Sequence, residues 1–139
     1  MVLAARDVGK LQELSVETGA QALALDAVDI KAVSGFFEAL DRAPEVVIYN
    51  PSARVRGPVA ELDPEEVRKA VEVTAFGAFL TGQAAAKRML AVEPEGGVRG
   101  TILFTGASAG VKGFPQSATF AMGKFAQRGL AESMARELH

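Results

Sequence analysis

The chain has 139 residues, 49% of them apolar, enough to bury one core, so a single domain is expected. Fifteen Lys and Arg against 17 Asp and Glu leave a formal net charge of −2, which removes any basic footprint for nucleic acid or an anionic membrane surface. The absence of cysteine excludes disulfides and thiolate metal sites and fits a reducing cytoplasmic compartment, and the single histidine, His139, argues against a His-centred metal site or triad.

Short apolar runs alternate with longer segments of helical period, the pattern of a parallel sheet flanked by helices. The first run, VLAA at 2–5, is too short for a signal peptide, and no later run approaches the roughly 20 apolar residues of a membrane span. A helix is expected from Val8 to Thr18, closed by Gly19, followed by a strand at 21–25 (QALAL). Asp29 offers a cap for a helix running to about Arg42, with Val33, Phe36, Phe37 and Leu40 on one face. After a strand at 45–49 (EVVIY), Asp63-Pro64-Glu65-Glu66 supplies a capping residue, a proline at the first helical position and a glutamate at the third. That helix is expected to reach about Leu90, with Glu65 and Lys69 as a surface pair. Gly96-Gly97 marks the turn into a strand at 101–105 (TILFT), and a last helix spans about 117–138. The strands lack a polar face, as strands covered on both sides do.

The stretch TILFTGASAGVKGFP, residues 101–115, admits three readings. A phosphate-cradling glycine loop needs a helix to open at once, yet Gly113 and Pro115 fall where its first turn would be. A nucleophile elbow (Gly106-Ala107-Ser108-Ala109-Gly110 fits GxSxG) also needs an immediate helix, and only His139 follows Ser108 as a base.

The third reading comes from the whole region. An apolar strand, a small-residue turn, a Gly/Pro loop and then Phe120-Ala-Met-Gly-Lys124 entering an Ala-rich helix resembles the short-chain dehydrogenase/reductase family. VLAARD resembles that family's second strand and its cofactor-discriminating turn, and ALALDAVD its third strand with an Asp near the adenine. VVIYNPSA stands in the place of its Asn-Asn-Ala-Gly segment, and ELDPEEVRKAVEVTAFGAFL resembles the start of its next long helix. The resemblance covers essentially all 139 residues and implies an α/β fold, a partial Rossmann-like doubly wound parallel sheet with helices on both faces. It also implies hydride transfer between a nicotinamide cofactor and a carbonyl or alcohol substrate.

In such a family a Tyr moves the proton, a Lys four residues on tunes it and holds the ribose, a Ser orients the substrate oxygen, and an Asn completes a proton relay. Position by position, Phe120 stands at the Tyr, Ala107 at the Ser with Ser108 beside it, and Thr74 at the Asn; only Lys124 matches. Phe cannot transfer a proton, and loss of a general acid costs ~10²–10⁴ in rate. Phe120 therefore reads as a core or pocket-wall aromatic. Ser108 is either presented by a small loop adjustment or a turn residue bonded to its own backbone. Lys124 is either a ribose contact or a solvated surface lysine, and Thr74 is a tolerated helix residue. On the cofactor side, Ala5 and then Arg6 stand where NAD-specific members carry an acid, so Arg6 favours the 2′-phosphate of NADP over NAD. Asp26 reaches the adenine or serves a turn, and Asn50 lines the crevice and ties strands together.

The family's opening strand and TGxxxGxG loop, and its closing strands, lie outside the matched segments. The resemblance therefore implies a piece of a longer reading frame, inactive alone. It further implies a homodimer or homotetramer through the helices at 64–90 and 117–138, both rich in small residues. A non-catalytic nucleotide-binding or regulatory protein of the same fold is the alternative.

Overall fold

In the computed structural model, which describes residues 1–138, the four apolar runs form two parallel strand pairs. Strands β1 (Val2–Ala5) and β2 (Gln21–Ala24) pair with Val2 opposite Gln21. Strands β3 (Val46–Tyr49) and β4 (Thr101–Phe104) pair with Val46 opposite Thr101 and Tyr49 opposite Phe104. The bonds from Leu25 N to the Ala5 carbonyl and from Thr105 N to the Tyr49 carbonyl, both 3.0 Å, carry each ladder one residue further.

The first helical segment begins as a 3-10 turn (Val8–Leu11) under the Asp7 cap, becomes α1 (Gln12–Thr18), and stops at Gly19, whose φ of 68° is left-handed. Helix α2 (Ile30–Glu38) starts at Asp29, whose carboxylate accepts from Ala32 N at 2.9 Å. It ends four residues before the expected Arg42. One local and one distant cause contribute: Ala43 precedes Pro44 and is steered from helical geometry, and Arg88, 48 residues away, takes the Leu40 carbonyl at 2.7 Å, satisfying a group left over at the helix end.

The long helix expected from 64 to 90 is three pieces. Helix α3 (Pro64–Val71) opens at Asp63, which accepts from Glu66 N at 2.9 Å. A π turn (Glu72–Phe76) follows, then α4 (Gly77–Leu90). The π turn has tertiary partners: the Tyr49 hydroxyl donates to the Val73 carbonyl at 2.5 Å, and Ala53 N donates to Thr74 Oγ1 at 3.0 Å. Gly77 is required there, because a Cβ would overlap the Tyr49 hydroxyl and crowd the Ala27 carbonyl.

Helix α5 (Ala118–Glu137) packs against α3, the π turn and a short 3-10 turn at Ser108–Gly110. The core lies between α2, α4 and the β3–β4 pair: Val33, Phe37, Leu80, Ala85 and Met89 are buried against Val47 and Ile102. Each such large side chain contributes about 1.5–3 kcal/mol by leaving water. The opposite face of β3–β4 departs from the expected double covering: Val46, Ile48 and Leu103 are 57%, 64% and 48% exposed. An apolar run signals burial without saying which face supplies it, and here the helices cover one.

Candidate active site

Three of the four strands deliver a candidate residue just past their carboxyl ends, the edge where open parallel sheets hold ligands. Arg6 follows β1, exposed and free of ion pairs and hydrogen bonds among the described residues. Asp26 follows β2; its carboxylate accepts from Val28 N at 3.2 Å in a local turn. Asn50 follows β3 and is exposed, and among the described residues its side chain makes no hydrogen bond, so it does not tie strands together as expected. The segments past β2 and at the end of β3 come together beside Gly77, where an added Cβ would meet both the Ala27 carbonyl and the Tyr49 hydroxyl. Burial, helped by the Asp26 charge, pushes the Tyr49 phenol up to about 12.

Thr105, past β4, leads to the most connected group in the chain. Lys124 is only 4% exposed, which overturns its reading as a solvated surface residue. Its Nζ donates to the Thr105 carbonyl at 2.5 Å and to Gln127 Oε1 at 3.0 Å, while burial lowers its pKa. Gln127, 2% exposed, donates onward from Nε2 to the Thr74 carbonyl at 3.4 Å. Thr74, 1% exposed, is more than a tolerated helix residue: its hydroxyl anchors Ala53 and its side chain seats Gly123 of α5. One network thus links β4, α5 and the π turn.

Phe120 is half-buried over the same spot. Its ring centroid lies 5.9 Å from Lys124 Nζ and 4.7 Å from Arg54 Cζ. Arg54 Nη2 in turn donates to the buried Ser117 hydroxyl at 3.2 Å. Phe120 is therefore a half-buried aromatic close to two cations, with no proton to give.

The glycine-rich stretch forms neither a phosphate cradle nor an elbow. Ala107 is extended, Ser108 opens a single 3-10 turn, and α5 begins only at Ala118. The Ser108 side chain is exposed and makes no hydrogen bond among the described residues; its carbonyl, instead, accepts from Val111 N and Lys112 N at 3.1 and 3.2 Å. The expected bond from this side chain to its own backbone is thus absent there. His139, the base an elbow would need, lies outside the described residues. Among the described residues no cluster of His, Cys, Asp or Glu suits a metal ion, and no helix is long and apolar enough to cross a membrane.

Sequence reading missed Gln127, Arg54, Ser117 and Tyr49. Gln127 had a signal, a polar side chain one helical turn after Lys124. Arg54 and Ser117, 63 positions apart, had none.

Residues 1–139 match the profile of the family described as short chain dehydrogenase. The chain is 29% identical over 129 residues to L-2,3-butanediol dehydrogenase of Corynebacterium glutamicum, covering 88% of this chain and 48% of that protein. The crystal structure of a short-chain dehydrogenase from Rhodopseudomonas palustris superposes with a TM-score of 0.87 at 35% identity, over 99% of this chain and 66% of that one. A metagenomic short-chain oxidoreductase in complex with NADP gives 0.87 at 28% identity, over 99% of this chain and 64% of that one. The chain therefore spans about half the length of that curated relative and about two thirds of these structures. With the profile matched from end to end, the chain belongs to the short-chain dehydrogenase family.

Proposed function

We propose that this chain forms the central portion of an NADP-dependent oxidoreductase acting on a carbonyl or alcohol, with its proton-transfer site altered at Phe120. The observation that carries the reading is the meeting of Lys124, Thr74 and Phe120 past the end of β4. When bound, the nicotinamide supplies or accepts the hydride. The residues at the strand ends suit such a cofactor: Arg6 presents an uncommitted guanidinium for a 2′-phosphate, Asp26 approaches the adenine, and Asn50 lines the crevice. Lys124 holds the ribose after exchanging one of its two internal bonds, and Ser108 orients the substrate oxygen after a small loop shift. Phe120 keeps water off the reacting centre without supplying a proton, and turnover is slowed accordingly, by ~10²–10⁴.

The cofactor assignment is tested by titrating NADPH and NADH against the protein that carries these residues. NADPH should bind roughly tenfold tighter or more, since a charged hydrogen bond contributes about 1.5–3 kcal/mol. Changing Ala5→Asp together with Arg6→Gln should reverse the order. Equal affinities in the unaltered protein contradict the role given to Arg6.

A second reading, a non-catalytic nucleotide-binding protein, is favoured by one observation: the Lys124 amine is already satisfied inside the fold. Retained NADPH binding with no oxidation of NADPH by ketones in a single-turnover experiment would select it. A reducing cytoplasm is the location we propose for either protein, since a cysteine-free chain needs no disulfide. Assembly as a homodimer or homotetramer through α3–α4 and α5 is supported by Phe76 of the intervening π turn, Phe79 of α4 and Met122 and Phe125 of α5, exposed by 40%, 41%, 54% and 47%.

A further inference from the structure

Arg54 is held in place at both ends yet keeps most of its donors free. Its backbone neighbour Ala53 is tied to Thr74 at 3.0 Å, its guanidinium lies over the Phe120 ring at 4.7 Å, and Nη2 donates to buried Ser117 at 3.2 Å. The residue as a whole remains exposed. A guanidinium carries five N–H donors, and among the described residues only one of these is engaged. The ion pairs of the described residues lie elsewhere: Arg42 with Glu45, Arg68 with Glu65 and Glu72, Lys69 with Glu65, and Arg128 with Glu132. Arg54 therefore has no carboxylate of the described residues within pairing distance. The same holds for Lys124, 5.9 Å from the Phe120 ring centroid, and for Lys112, which lies over Phe114 at 5.0 Å. The Lys112 loop is joined to the Arg54 segment by the bond from Gly57 N to the Gln116 carbonyl, 3.4 Å. In a chain of net charge −2, two cations, Arg54 and Lys124, lie at the Phe120 ring, and among the described residues no carboxylate pairs with either.

We propose that Arg54 is a specificity-determining residue that binds the carboxylate of an oxo-acid or hydroxy-acid substrate, seating the adjacent carbonyl or carbinol carbon against Phe120. This assignment rests on the oxidoreductase reading above. The physical case is preorganisation: a guanidinium fixed by a ring and a buried hydroxyl loses little freedom when its outer edge takes a carboxylate through two parallel hydrogen bonds. A neutral ketone leaves that edge facing water and gains nothing from it.

The test needs no nicotinamide. The purified chain is titrated with 2-oxobutanoate, with its neutral amide and with inorganic phosphate, following the Arg54 Nε–H and Phe120 ring signals by NMR. The oxo-acid should shift both signals saturably in the millimolar range, and the neutral amide should bind at least tenfold more weakly. Arg54→Gln should weaken the oxo-acid at least tenfold, and Arg54→Lys, keeping charge without the fork, should fall between. Arg54 is exposed, so these variants should fold, and an unchanged circular dichroism spectrum checks it. Equal binding of the amide, or oxo-acid binding that survives Arg54→Gln, overturns the proposal. Phosphate binding tenfold tighter than the oxo-acid also overturns it, by assigning Arg54 to a cofactor phosphate. Because no cofactor is present, failure here is distinct from failure of the NADPH and NADH titrations.

Discussion

Lys124 sits where it does because Gln127 completes its surroundings. A buried ammonium is tolerated only with acceptors in reach, and here it has the Thr105 carbonyl and the Gln127 amide. Burial holds its pKa below the ordinary lysine value. Since the folded pKa is the lower one, the associated stability is fully present above the unfolded value and is lost as pH falls through the folded pKa. Gln127→Leu removes an acceptor from Lys124 and a donor from the Thr74 carbonyl, which should cost about 1–3 kcal/mol in urea unfolding. It should also depress the Lys124 pKa further, whereas Gln127→Glu, placing a carboxylate beside the amine, should raise it. Titration of the lysine ε-methylene signals by NMR separates this role from simple packing, which would leave the Lys124 midpoint unmoved in both variants.

At the scale of the elements, legibility followed how local each cause is. The Asp63-Pro64-Glu65-Glu66 start was readable because cap, proline and acid act within one turn, and α3 begins there. The end of α2 was overrun because its stop depends in part on Arg88, 48 residues away. The π turn was invisible because nothing in Glu-Val-Thr-Ala-Phe forbids a regular helix; Tyr49 and Ala53, from another element, hold its groups. Two glycines make the contrast measurable. Local propensity alone favours alanine over glycine in a helix by about 0.8–1.0 kcal/mol. Gly129→Ala, facing open space on α5, should gain up to roughly that amount. Gly77→Ala should instead lose about 1–3 kcal/mol, because its Cβ overlaps the Tyr49 hydroxyl. Chemical denaturation of the two variants side by side checks both signs.

For the molecule as a whole, the order of strands and helices along the chain was readable from the alternation of apolar runs. The polar contacts that build the site were not, since Arg54–Ser117, Ala53–Thr74 and Gln127–Thr74 join segments 21 to 63 residues apart. The outer faces of α4 and α5 pose an assembly question. Phe76 and Phe79 stack at 6.2 Å on α4 and its π turn, and Met122 and Phe125 lie exposed on α5. If these faces join subunits, Phe125→Glu should convert a sedimenting dimer or tetramer to monomer at micromolar concentration; an unchanged state would assign the interface elsewhere. The central claim is that Phe120 occupies a position built to tune a phenol, flanked by Lys124 and Arg54. It is tested most directly by Phe120→Tyr, because Tyr49 is the chain's one native tyrosine and its phenol is pushed up to about 12. Tyrosinate absorbance against pH should show one step near 12 in the native chain. The variant should add a second step below the ordinary phenol value of about 10, because both neighbouring cations favour the charged form. A second step at or above that value would contradict the account.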